Sequence, residues 1–143
     1  MPGEIVLGFD STAESRAAVV VAADLAATYD TTLVIVFGYE PPRFGGEVGA
    51  LRDEIEKVGE ELGADALAEV RELAPDVDAR VELVQGRPIE SIVEIADDVD
   101  ARFIVVGHRQ RSLIAEMFSG SVLEGVMTAT TRPVVAVQVP EDA

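Results

Sequence analysis

The stretch Val105-Val106-Gly107-His108-Arg109-Gln110-Arg111, followed after a short interval by Ser119-Gly120-Ser121-Val122, decides how this chain folds. An apolar run from Phe103 to Val106 stops at a glycine and crosses a polar, arginine-bearing segment. It then reaches a Gly-Ser pair that opens a new apolar-periodic segment. The pattern reads as strand, loop and helix start. Backbone N–H groups at a helix N-terminus lack intrahelical acceptors and sit at the positive end of the macrodipole, so such a turn is suited to an anion such as phosphate. The same pattern also fits an ordinary βα connection in which Gly107 ends a strand and Gly120-Ser121 caps a helix.

Working outward, the other apolar runs have the same character. Residues 4–9, Thr32 to Phe37, Ala79 to Val84, Arg102 to Val106 and Val134 to Val139 read as strands, rich in β-branched residues. Gly38 closes the second and Pro140 the last. Between them lie helical periods. One is capped by Ser11 or Thr12, carries Ala17, Val21, Leu25 and Ala18, Ala22 at spacings of three and four, and ends near Tyr29-Asp30. A long amphipathic segment from Glu47 to Ala74 ends at Pro75. Its acids, Glu54, Glu56, Glu60 and Glu61, read as a solvated face. A third helix starts at Pro88, which suits a first turn, and buries Ile89, Ile92, Val93 and Ala96. A fourth runs from Gly120 to Thr130. The long connection Tyr39-Glu40-Pro41-Pro42-Arg43-Phe44-Gly45-Gly46 is kept irregular by its prolines and glycines.

Nearly continuous apolar strands alternating with amphipathic helices predict an α/β fold with a parallel sheet covered on both faces. Right-handed crossovers allow five strands to form a doubly wound sheet in the order 3-2-1-4-5. Its ligand crevice lies at the carboxyl ends of the strands, where the order reverses between the first and fourth, making Asp10 and the Gly107 segment neighbours. The loops at that edge carry Arg43, Arg87, His108, Arg109 and Arg111, a local basic set that Asp10, Glu14 and Glu40 partly cancel.

Composition bounds the chemistry. At 143 residues the chain is long enough for one domain with a proper core. It has no cysteine, which excludes disulfides and thiolate metal sites, and one histidine, which excludes a site needing two imidazoles. The formal net charge of −16 argues against general affinity for nucleic acid or anionic membrane. No apolar run approaches the roughly 20 residues of a membrane span, and no secretory pattern is visible, so a cytoplasmic protein is expected. The acidic, lysine-poor composition fits a salt-loving source and a GC-rich genome equally.

Three blocks together resemble a known family. Gly107, two residues, position 110, nine residues, then Gly120-Ser121 follow the G-x2-G-x9-G-[ST] signature of universal stress proteins, with Gln110 standing at the second glycine. Ile5-Val6-Leu7-Gly8-Phe9-Asp10-Ser11 is similar to that family's first strand and turn, and Arg132-Pro133-Val134-Val135-Ala136-Val137 to its last strand. The resemblance implies one domain over residues 1–143, the same 3-2-1-4-5 sheet, and a regulator that binds ATP or another adenine nucleotide, with Mg if Asp10 holds it beside the phosphates. It implies a nucleotide site at Asp10, Ser11, Val36, Phe37, Gly107, His108, Arg109, Gln110, Gly120, Ser121 and Val122. Members lacking the full glycine set are thought not to bind ATP and would act by protein interaction. The family also implies a homodimer through Val134 to Val139, an edge strand without lysine, glutamate or internal proline to protect it. On that strand Val135, Val137 and Val139 share one face.

Enzymatic readings fare less well. Asp10-Ser11-Thr12 resembles the nucleophile turn of haloacid-dehalogenase-type phosphatases, but Thr12 stands where the general acid belongs. No G-x4-G-K-[ST] is present for a P-loop kinase, and a receiver domain would need an acidic pair and a late lysine that are missing. Any ATP turnover is expected to be slow and incidental. Leu113, Ile114, Met117 and Phe118 form an apolar patch that suits a cover over the site.

Overall fold

Apolar runs become buried strands wherever both faces can be covered, and here both are. The computed structural model describes residues 3–10, 12–39, 48–110 and 121–142. In chain order these form β1 (Ile5–Gly8), α1 (Ala13–Thr28), β2 (Leu33–Tyr39), α2 (Val48–Leu73), β3 (Ala79–Gln85), α3 (Pro88–Asp98), β4 (Phe103–Arg109), α4 (Val122–Ala129) and β5 (Val134–Val139). The strands pair in parallel in the order β3-β2-β1-β4-β5, as the alternation of strands and helices requires.

Successive strand residues face opposite sides, and the two cores divide accordingly. Ile5, Leu7, Leu33, Ile35 and Val105 pack with Ala18, Val19, Ala22, Ala66 and Val70 under α1 and α2. Val6, Val34, Val36, Ile104 and Val106 pack with Ile92, Ala96 and Val126 under α3 and α4. Burying each such aliphatic side chain is worth about 1.5–3 kcal/mol, so the three inner strands β2, β1 and β4 anchor the molecule.

Strand ends differ from the sequence expectation. β4 does not stop at Gly107. It runs on through His108 and Arg109 because β5 keeps pace beside it, with Gly107 opposite Val137, His108 opposite Gln138 and Arg109 opposite Val139. His108 and Arg109 are therefore strand residues, not loop residues. In the same way β2 continues through Gly38 to Tyr39, held by pairing to Val84 and Gln85 of β3. β1 is shorter than expected and ends at Gly8, after which the chain turns into α1. On β5, Val135 and Val137 pack against the α1 and α2 side of the core and Val134 against the other. Val134, Val135 and Val137 are thus partly buried within the chain.

Candidate functional site

The chain leaves β1 through a turn built by three short polar side chains. The Asp10 carboxylate accepts hydrogen bonds from the Thr12 hydroxyl at 2.6 Å and the Thr12 N–H at 3.1 Å. Thr12, in extended conformation, is the N-cap of α1, its Oγ1 accepting from the Ser15 N–H at 3.2 Å. Ser15 is buried, and its hydroxyl donates back to the Thr12 carbonyl at 3.1 Å. Of the two capping candidates, Thr12 takes the role. Asp10 is exposed and fixes the cap from outside, which satisfies N–H groups otherwise left open at a helix start.

Gly107 explains how close α1 comes to the sheet. A Cβ at this position would run into the carbonyl group of Glu14 and lie 2.8 Å from the Ser15 N–H nitrogen. Backbone cannot give way as a side chain can, so the first turn of α1 rests on Gly107. Beside it, Arg109 projects to the same side and meets Glu14: Nη2 lies 3.0 Å and Nε 3.3 Å from one carboxylate oxygen. Both side chains are partly buried, at 28% and 20% exposure, and Arg109 Nη1 also donates to the Glu141 carbonyl at 3.2 Å. The N–H of Gln110 donates to the Val139 carbonyl at 2.9 Å, extending the β4–β5 ladder by one step.

Between the start of α1 and the start of α4 the ends of β1 and β4 open into a cleft of about 240 Å³. Gly8, Val36, Ile92 and Val106 supply apolar surface; Asp10, Thr12, Glu14, His108, Arg109 and Ser121 supply polar groups. α4 begins there with Ser121 as its N-cap, the hydroxyl accepting from the Glu124 N–H at 3.1 Å. Val122 and Leu123 follow along the same wall. The order of strands reverses at this point, where open α/β sheets hold their ligands.

The expected site residues distribute as follows. Asp10, Val36, Gly107, His108, Arg109, Ser121 and Val122 come together at the cleft. Phe37 does not: it belongs to the opposite face of β2, with its ring 3.2 Å from where a Cβ on Gly59 of α2 would stand. Gln110 is exposed and is not part of the lining. Ser11, Arg43, Arg111, Gly120 and the patch Leu113, Ile114, Met117 and Phe118 lie outside the described residues. Arg87 is described, as the residue before Pro88 at the start of α3, and only Pro88 reaches the lining. The cleft adds Gly8, Phe9, Thr12, Ser15, Pro88, Ile92, Val106 and Leu123 to the expected set, and gives Glu14 a definite place in it.

Magnesium finds little here by itself. No group of three metal-ligating side chains occurs among the described residues, and one Asp10 oxygen already accepts two hydrogen bonds from Thr12. Asp10, the cleft carboxylate that the sequence expectation names for magnesium, would hold the ion there as one oxygen ligand.

The comparisons with known proteins agree with this architecture. A curated relative from Thermus aquaticus, the universal stress protein in the QAH/OAS sulfhydrylase 3′ region, is 33% identical over 138 residues, covering 94% of this chain and 97% of its own. A solved universal stress protein in complex with cAMP superposes with a TM-score of 0.72 at 26% identity, over 96% of this chain and 97% of the other. A universal stress protein structure from Archaeoglobus fulgidus reaches a TM-score of 0.76 at 25% identity, over 96% of this chain and 98% of its own. The sequence model of the universal stress protein family matches residues 1–138, so this chain belongs to the universal stress protein family.

Proposed function

We propose that the chain, acting as one universal stress protein domain in the cytoplasm, binds an adenine nucleotide in the cleft between α1 and α4 and works as a ligand-dependent, dimeric regulator. The observation that carries this reading is the cleft itself. It offers apolar surface for a base, from Val36, Ile92 and Val106, a helix start at Ser121 for an anion, and in the same lining the Asp10 carboxylate as an acceptor for ribose hydroxyls. The cAMP found with a relative of 26% identity supports the same assignment.

Acid extraction of the purified protein, followed by identification of any nucleotide released, tests it directly. Calorimetric titration should then give micromolar affinity, about −8 kcal/mol, and Val122→Trp, which fills the cleft from an exposed position, should remove the heat at an unchanged melting temperature. A folded protein that gives no heat with millimolar nucleotide favours the second reading, a universal stress protein that acts by protein contact alone. A specific observation speaks for that reading: Gln110 occupies the second glycine position and its N–H is already used by Val139.

A further inference from the structure

Where the inner strands end at the cleft, one of them carries a glycine and its neighbours carry valines. Gly8 of β1 pairs with Val36 of β2, and Leu7 pairs with Val105 of β4, which brings the next residue, Val106, to the other side of Gly8. Side chains alternate along a strand, and Val6, Val36 and Val106 all pack on the α3 and α4 side, so position 8 faces that side too. The backbone there does not call for glycine. It lies within β1, and among the described glycines the one with a positive φ is Gly86. What Gly8 supplies is room: a Cβ at this position would lie 2.5 Å from Cδ1 and 3.2 Å from Cγ1 of Ile92. The tip of that α3 side chain is therefore let down onto β1 between the two valines. Ile92 is only 4% exposed, yet Gly8, Val36, Ile92 and Val106 all line the cleft.

Resting on the nucleotide reading above, we infer that Gly8 sets the depth of the base subsite by giving the Ile92 tip a place to withdraw to. With the tip down, the apolar surface of Val36 and Val106 is open to a flat ring. Any side chain at position 8 lifts the tip into the space of that ring. One carbon too many in an apolar pocket changes affinity by about 10- to 200-fold, so this contact decides whether a base is accepted. Gly8 acts through Ile92 and is a positioning residue.

AMP is titrated by calorimetry into the wild type, Gly8→Ala, and the double variant Gly8→Ala with Ile92→Val, at a temperature where melting curves show all three folded. The double variant moves one methyl from α3 to β1, because the alanine Cβ takes the place that the isoleucine Cδ1 gives up. Gly8→Ala should weaken AMP at least about tenfold, and the double variant should return to within about threefold of the wild type. An unchanged affinity in Gly8→Ala overturns the inference and leaves the nucleotide reading standing. So does a loss that the double variant keeps, which would place the effect in the β1 backbone and not in Ile92. If Gly8→Ala does not fold, Ile92→Met carries the test: at similar volume it reaches one atom further over the same glycine, and it should weaken AMP about tenfold. Wild-type affinity in that variant overturns the inference. If AMP gives no heat even with the folded wild type, the nucleotide reading falls and the inference with it.

Discussion

The two ends of the parallel sheet use arginine in the same way chemically and to different ends. At the amino end Arg132 ties the turn after α4 to the end of α3: Nε meets Asp97 at 3.0 Å, and Nη1 meets Asp100 at 2.9 Å and the Ala101 carbonyl at 3.1 Å. On β3, at the opposite border of the sheet, Arg80 lies between Glu4 at 2.9 Å and Glu82 at 3.2 Å. The Arg132 pairs lie where α3 ends in negative dipole and acidic residues, Asp97, Asp98 and Asp100, and the guanidinium offsets that charge. At the carboxyl end the Arg109–Glu14 pair faces a cleft. At the amino end the arginines pair with acidic side chains and a backbone carbonyl, while at the other end helix starts and short polar residues line a cleft. A ligand site here is therefore a matter of which end of the strands a residue stands at, more than of which residue it is.

The largest way to break the difference is Gly107→Ala. The new methyl meets the backbone of Glu14 and Ser15, so α1 must move off β4, at a cost of about 3 kcal/mol in urea unfolding. Gly125→Ala is the control: its methyl meets the Ile89 side chain, which can turn aside, and helix propensity returns up to about 1 kcal/mol. A Gly107 variant as stable as the Gly125 one would show that the first turn of α1 is free to shift.

Next in size is Ser121→Ala, which removes the cap bond to the Glu124 N–H and should cost about 1 kcal/mol. It should also weaken nucleotide binding, because the start of α4 both holds the helix and forms the cleft. Arg132→Gln is its counterpart at the other end. The Arg132 side chain is 23% exposed, but its partners Asp97 and Asp100 are 61% and 94% exposed, so the loss should be at most about 1 kcal/mol, with nucleotide affinity unchanged. The Arg132 guanidinium pKa is pushed up, chiefly by its hydrogen bond to Asp100 and then by Asp97. A base with a raised pKa contributes fully below its ordinary value and loses the contribution only as pH rises through the raised one. The gap in melting temperature between wild type and variant should accordingly stay constant through mildly alkaline pH.

The fold was legible because continuous apolar runs and three-to-four periods leave few alternatives, and the sheet order follows from handedness. Strand ends were less so. Nothing in His108-Arg109 looks like a strand; those residues are extended because Gln138 and Val139 lie opposite, a fact about pairing that a local pattern does not contain. Val36 and Phe37 could have been separated, since adjacent strand residues face opposite sides and Val34, Val36 mark one core while Ile35 marks the other. The Arg109–Glu14 pair could not, as 95 positions separate its members. Gly107 reads equally as a phosphate glycine or a packing glycine until α1 is seen resting on it.

The smallest expected effect returns to the amino end, where two aspartates follow helices in the left-handed region: Asp30 after α1 at φ 49° and Asp100 after α3 at φ 52°. Glycine is at ease in this conformation and an aspartate pays for its Cβ. Each also adds negative charge at the negative end of a helix dipole. The two differ in their surroundings, because the Asp100 carboxylate holds Arg132 at 2.9 Å, whereas the Asp30 N–H simply bonds the Ala27 carbonyl. Asp30→Gly should therefore stabilise the protein by up to about 1 kcal/mol, a rise of a few degrees in melting temperature. Asp100→Gly should gain little or lose slightly, since relief of the backbone is offset by the lost ion pair. In the Arg132→Gln background that offset disappears, and Asp100→Gly should then stabilise about as much as Asp30→Gly does. If Asp100→Gly is no more favourable there than in the wild type, the Arg132 contact contributes nothing, and the amino end is held by packing alone.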